Sequence, residues 1–194
     1  MNMIKSLRIM LLSVCTALFM LPAQSTTLSD ALNDGQHLLM IRHADAPGFS
    51  DPAHLKIGDC STQRNLGELG RKQAQALGVW LKQQGIDSAD VLSSAWCRCV
   101  DTATLMNKGP VLIESALGSF FDDMRRRDAQ NRALQNLIAA NLKAFPKQPL
   151  IYVTHHVNIE AFTGQAIGVG DIVLTRVTPD GRYVSHQTFP SPRP

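Results

Sequence analysis

Apolar runs of strand length alternate along the chain with segments whose apolar residues recur at helical spacing. Leu38-Leu39-Met40-Ile41 and Leu150-Ile151-Tyr152-Val153 read as buried strands over about residues 37–42 and 149–154. Asp90-Val91-Leu92 and Val111-Leu112-Ile113 read as two shorter ones. Ala74, Leu77, Val79, Trp80 and Leu81 share a face in residues 66–84, and Gly85 follows as a stop, so this stretch is expected to be the first helix. Residues 95–106 are a second helix, and residues 125–145, with Leu134, Leu137, Ile138 and Leu142 on one side, a third. Residues 159–167 suit a short further helix, and residues 171–177 and 183–187 pair as a hairpin around Asp180-Gly181. This alternation predicts an α/β three-layer sandwich: a mainly parallel central sheet flanked by helices, closed by a C-terminal hairpin and an extended Pro-rich end. The polar stretch 45–65, punctuated by Pro47, Gly48, Pro52 and Gly58, is long for a structureless loop and marks a functional one.

The first residues belong to a different pattern. Lys5 and Arg8 precede an apolar stretch from Ile9 to Leu21, and Pro22-Ala23-Gln24-Ser25 follows, so residues 1–25 read as a secretory signal peptide and 26–194 as one domain. The apolar stretch is short for a membrane span, so no stable span is expected after processing; a lipid anchor on Cys15 ranks lower because about ten more mostly apolar residues follow it. The segment holds two of the 19 basic residues and none of the 16 acidic ones, which leaves 17 basic against 16 acidic. A near-neutral remainder is not the clustered basic footprint of a nucleic-acid binder. The expected location is periplasmic or secreted.

An oxidising compartment changes the reading of the cysteines. Cys60, Cys97 and Cys99 remain after processing, and Cys97 and Cys99 lie too close in sequence to bridge each other well, so Cys60 is expected to pair with one of them. Three free thiols or a metal site are the alternatives, the latter without matching ligand spacing.

Candidate chemistry gathers where strands end. Arg42-His43 ends the first strand, Ser93-Ser94 the second and His155-His156 the fourth, and in open α/β sheets the ligand site lies beyond those carboxyl ends. Guanidinium forks at Arg42 and Arg98 suit a phosphoryl group, a neutral imidazole at His43 can attack phosphorus without a separate base, and His155 can donate to the phosphoryl oxygens. Such a cluster of donors needs no metal. Arg64 and Asn65, in the long loop, are expected to contact substrate, with a turn or cap role as the alternative for Asn65. A structural or hydrogen-bonding role is expected for His156.

Four ordered blocks carry a family resemblance: Arg42-His43-Ala44 after a strand; Asn65-Leu66, Gly70-Arg71 and Gln73-Ala74; Ser94 through Arg98 to Thr102-Ala103; and Thr154-His155. Together they resemble the histidine phosphatase superfamily, which includes the phosphoglycerate mutases, over about residues 37–166. The resemblance implies a metal-independent phosphoric monoester hydrolase with no cofactor, a phosphohistidine intermediate on His43, and a phosphate pocket of Arg42, Arg98 and His155. Alanine stands at position 44 where many relatives have glycine. Many members also place a glutamate proton donor beyond the third strand, where this chain has Ser119, so Glu114, Asp122, Asp123 or no residue at all is left as the general acid. The leading expectation is an exported phosphomonoesterase acting on small organic or sugar phosphates. A phosphomutase, a phosphoprotein phosphatase, and a non-catalytic anion- or metal-binding module using His43, His155 and His156 are the alternatives.

Overall fold

A computed structural model describes residues 27–194. The proposed signal peptide lies outside the described residues. Helix α1 (Leu28–Leu32), not expected from the pattern, is short and held by a capping box in which Thr27 and Asp30 satisfy each other's backbone N–H groups. Strand β1 (His37–Arg42) follows, then the long loop with a single turn of 3₁₀ helix at Cys60–Thr62. The chain continues through α2 (Glu68–Gln83), β2 (Asp90–Ser93), α3 (Cys97–Met106) and β3 (Val111–Ile113), and then α4 (Arg127–Ala144) and β4 (Leu150–Thr154). It closes with α5 (His156–Thr163), β5 (Ile172–Val177) and β6 (Tyr183–Phe189).

The six strands form one sheet in the order β3-β2-β4-β1-β5-β6. The first four are mutually parallel, while β5 and β6 run antiparallel to their neighbours as the expected C-terminal hairpin. Successive side chains of β1 point to opposite faces, so its apolar run feeds two cores. Leu39 and Ile41 pack with Leu77, Leu81 and Met106 beneath α2 and α3. Leu38 and Met40 pack with Leu134, Ile138 and Phe162 beneath α4 and α5. These are the three layers.

Helix α5 differs from expectation: it begins at His156, directly after β4, and ends where Gly164 turns into the left-handed region at φ 76°. Its first turn carries His156 and Asn158, polar residues that face functional and backbone partners, and an apolar-periodicity reading passes over such a turn. Strand β6 runs to Phe189, whose ring packs 5.5 Å from Trp80.

Register places the site. Arg42 pairs with Thr154 and Ser93 with Val153, so β1, β2 and β4 end level with one another. The ladder continues one residue past the strands: the His43 N–H donates to the Thr154 carbonyl at 3.0 Å and the Ser94 N–H to the Val153 carbonyl at 3.0 Å. His43, Ser94 and His155 therefore emerge side by side.

Candidate active site

A cavity of about 290 Å³ opens at this edge, with Arg42, His43, Arg64, Arg98, His155 and His156 in its wall. Five of the six sequence-predicted site residues are thus brought together, all but Asn65. The Asn65 side chain instead donates to the Cys60 carbonyl at 2.7 Å and does not line the cavity, in keeping with the turn role given as its alternative. The loop needs its amide as an internal brace.

His43 is buried, and its Nδ1 lies 2.8 Å from the Ala44 carbonyl oxygen. A carbonyl only accepts, so Nδ1 carries the proton and Nε2 carries the lone pair. Arg98 Nε donates to that Nε2 at 3.2 Å, in keeping with the same tautomer. Burial, with the field of Arg98 and Arg42 added, pushes the His43 pKa down to about 3 although the Ala44 bond opposes the shift. The imidazole is a neutral, oriented base with its nucleophilic nitrogen toward the cavity.

His155 is buried edge-on to His43, ring centroids 5.5 Å apart. Desolvation and then the charges around it hold its pKa well below the ordinary histidine value. Its Nε2 lies 2.9 Å from the Ser94 hydroxyl, and its Nδ1 lies 3.5 Å from an Arg98 terminal nitrogen. A hydroxyl donates as readily as it accepts, so rotation of Ser94 lets His155 present either tautomer to a ligand that replaces the Arg98 contact. His156 is half-buried and neutral, its pKa lowered by desolvation and Arg42.

Arg98, buried on the first turn of α3, is fixed by a residue that sequence reading missed. Asp51, from the long loop, takes its two terminal nitrogens in a fork at 2.7 and 2.9 Å, and Trp96 Nε1 donates to the same carboxylate at 3.1 Å. Arg98 and, behind it, Trp96 outweigh desolvation and hold the Asp51 carboxyl below its usual range. With that edge of the guanidinium occupied, the other edge, Nε and one terminal nitrogen, faces the two histidines. An aspartate in a polar loop carries no pattern that would have marked it.

Arg64 donates from Nε to the Ser50 carbonyl at 3.1 Å and from a terminal nitrogen to the Ala46 carbonyl, so it shapes the loop as well as the cavity wall. Arg42 donates to the Ile167 carbonyl at 2.9 Å, and among the described residues its buried Nε has no partner. A buried unpaired guanidinium N–H beside a nucleophile is a donor awaiting an anion.

The pairing of cysteines is resolved: Cys60 bonds Cys97, with Cα atoms 5.7 Å apart, tying the long loop to the residue before Arg98. Cys99 is a free buried thiol whose pKa burial pushes up to about 12, so it is neutral and inert.

Residues 38–118 match the family model of the histidine phosphatase superfamily, branch 1. Over this stretch, less than half of the chain, it is similar to that superfamily. The serine/threonine-protein phosphatase Pgam5, mitochondrial, of Drosophila ananassae is 32% identical over 73 residues, 38% of this chain and 22% of that protein, so the match spans about a fifth of the relative's length. Among solved structures, mycobacterial hydrolase 1 superposes with a TM-score of 0.60 at 16% identity, covering 82% of this chain and 99% of that one. The mycobacterial glucosyl-3-phosphoglycerate phosphatase gives 0.55 at 16% identity, covering 82% and 99%. The protein histidine phosphatase SixA gives 0.52 at 16%, covering 80% and 97%. These likenesses show the shared fold.

The superfamily blocks have local physical reasons here. The Ala44 N–H donates to Thr102 Oγ1 at 3.0 Å, and that hydroxyl donates to the Arg98 carbonyl at 2.6 Å, which couples the His43 turn to α3. Gln73 accepts from the Asp45 N–H at 2.8 Å and donates to the Val169 carbonyl at 3.0 Å. Gly70 is required because a Cβ there would sit 1.9 Å from the Asp45 carbonyl oxygen. Of the acids expected as proton donors, Asp123 is forked by Arg125 at 2.7 and 3.1 Å, Asp122 accepts from Ser50, and neither these nor Glu114 lines the cavity. Ser119 does line it.

Proposed function

We propose that this chain is an exported, metal-independent phosphomonoesterase that acts on small organic phosphates through a phosphohistidine on His43. The tautomer of His43 carries this reading: with Nδ1–H held by Ala44, Nε2 carries the lone pair that can attack once a phosphoryl group takes over the Arg98 N–H that it accepts. Arg42, with its unpaired Nε, and the inner edge of Arg98 are arranged to take the phosphoryl oxygens. In the first step Nε2 forms a bond to phosphorus, the bond to the ester oxygen breaks, and the ester oxygen leaves with the electron pair. The Ala44 carbonyl stabilises the imidazolium that results, and His155, its Nε2 accepting from Ser94, donates from Nδ1 to the transferring group. Water then attacks phosphorus and restores neutral His43.

Export is supported by the N-terminal pattern and by the Cys60–Cys97 bond, which an oxidising compartment would preserve. A mutase reading suits an exported protein less well because mutases act on metabolic intermediates. A metal-binding module with His43, His155 and His156 as ligands is opposed by the Arg98 guanidinium, which donates to both His43 and His155 from between them. The test is turnover of a chromogenic phosphate ester with chelator present. Chelator-resistant activity that disappears in His43→Ala is expected; activity abolished by chelator, or retained in His43→Ala, would overturn the proposal.

A further inference from the structure

The long loop carries a feature that phosphate binding leaves unused. Phe49 is 88% exposed at the rim of the cavity, between Gly48 at φ 97° and Ser50 at φ 59°. Gly48 adopts its left-handed angle without cost, whereas Ser50 does so at some expense. The Phe49 ring stands edge-on to Phe121 at 5.6 Å, and Phe121 stands edge-on to His156 at 5.5 Å, so three rings in contact form part of the cavity wall. Ser50 Oγ donates to Asp122 at 3.3 Å and ties the two aromatic-bearing segments together.

The second observation concerns protons. Among the described residues the carboxylates lining the cavity are Asp45 and Asp51. Asp51 is held ionised by Arg98, whose two terminal nitrogens fork its carboxylate at 2.7 and 2.9 Å, and His156 is neutral. Ser119, at the place where many relatives carry an acid, accepts from the Phe121 N–H at 3.2 Å. With Asp51 tied to Arg98 and a serine at position 119, the site favours a leaving group stable as an anion: a phenol, with a pKa of about 10, leaves far more readily than an aliphatic alcohol, whose acidity is near that of water at about 15.7.

Resting on the phosphohistidine reading above, we propose that the substrates are aryl phosphate monoesters, the aromatic leaving group packing against Phe49 and Phe121 while Arg42, Arg98 and Arg64 hold the phosphate. Nε2 of His43 bonds phosphorus as the phosphorus–aryl oxygen bond breaks; the phenolate departs with the electron pair and takes its proton from solvent. The same chemistry is offered by a small aryl phosphate and by a phosphotyrosyl peptide.

The test compares kcat/KM for phenyl phosphate, a phosphotyrosyl peptide and glycerol phosphate in the wild type, Phe49→Ala and Asp45→Asn. Without an acid, the alkyl ester is expected to be slower than phenyl phosphate by roughly 10²–10⁴-fold. Phe49→Ala, a change on an exposed ring, is expected to lower kcat/KM for both aryl substrates by about 3–10-fold and leave the alkyl value nearly unchanged. Whichever aryl substrate is faster identifies the source. Comparable rates on aryl and alkyl esters, an indifferent Phe49→Ala, or alkyl turnover lost selectively in Asp45→Asn would each overturn the inference while leaving the phosphatase reading intact. Absence of turnover on all three substrates would instead sink that earlier reading.

Discussion

Asp51→Asn removes one negative charge from the Arg98 fork and leaves the shape of the side chain. Both members are almost fully buried, with side-chain exposures of 4% and 7%. Breaking a buried pair by removing one partner's charge costs about 3–5 kcal/mol, and the amide oxygen retains one neutral hydrogen bond worth about 1 kcal/mol, so a net destabilisation of about 2–4 kcal/mol is expected. For a domain of this size that lowers the melting temperature by roughly 5–15 °C. The kinetic consequence is separate. Asp51 sets the angle at which Arg98 presents Nε and a terminal nitrogen to the histidines, and a small misplacement of a catalytic donor costs up to about 10²-fold in kcat. Losing a negative charge among Arg42, Arg64 and Arg98 should meanwhile leave KM for a phosphate ester unchanged or lower. Thermal denaturation and steady-state kinetics on the same preparation read both effects. A melting temperature within about 2 °C of wild type, or a rise in KM with kcat preserved, would refute the assignment of Asp51 as the residue that positions Arg98.

Further predictions follow from the burial of the histidines, the disulfide and the loop. The His43 pKa of about 3 lies below its ordinary 6.5, so the unfolded chain takes up a proton that the folded one refuses. Stability therefore falls as pH drops from 6.5 toward 3, by about 2–3 kcal/mol at pH about 4.5, and buried His155 adds in the same direction. Urea titrations across pH should show a flatter dependence in His43→Gln, and an unchanged slope would contradict the burial argument. Opening the Cys60–Cys97 bond releases a loop of 37-residue separation, worth about 3–4 kcal/mol in unfolded-chain entropy, and should lower activity because Cys97 adjoins Arg98; reductant should reproduce Cys60→Ser, and indifference to both would count against the brace. Arg64→Ala should raise KM for a phosphate ester by roughly tenfold, whereas Asn65→Ala should lower stability with KM unchanged; the reverse pattern would restore Asn65 as a substrate contact.

The fold was largely legible because its signals are local and redundant. Uninterrupted apolar runs at residues 38–41 and 150–153 are what a strand covered on both faces needs, and the ends of those runs located His43 and His155. The start of α5 was missed because His156 and Asn158 serve the site and the backbone, not the core, so the first turn lacks the apolar period. Arg42, His43, Arg98 and His155 could be found because separate blocks agree in order, and Arg64 because it stands in the long loop beside the second of them. Asp51 and the Phe49–Phe121 wall were hidden for the opposite reason: each depends on how a loop folds back across the sheet edge, and loop residues carry no periodicity that announces their partners. The choice of Cys97 over Cys99 was likewise a matter of helix phase, which turns Cys97 toward the loop and Cys99 into the core.

The central claim is that His43 Nε2 becomes phosphorylated during turnover. Rapid mixing with a phosphate ester, quenching in alkaline denaturant where phosphohistidine survives, and peptide mass spectrometry tests it directly. The account predicts a phosphoryl group on the peptide containing His43 and none in His43→Asn. Phosphate release in the absence of any such adduct, or an adduct at another residue, would contradict it.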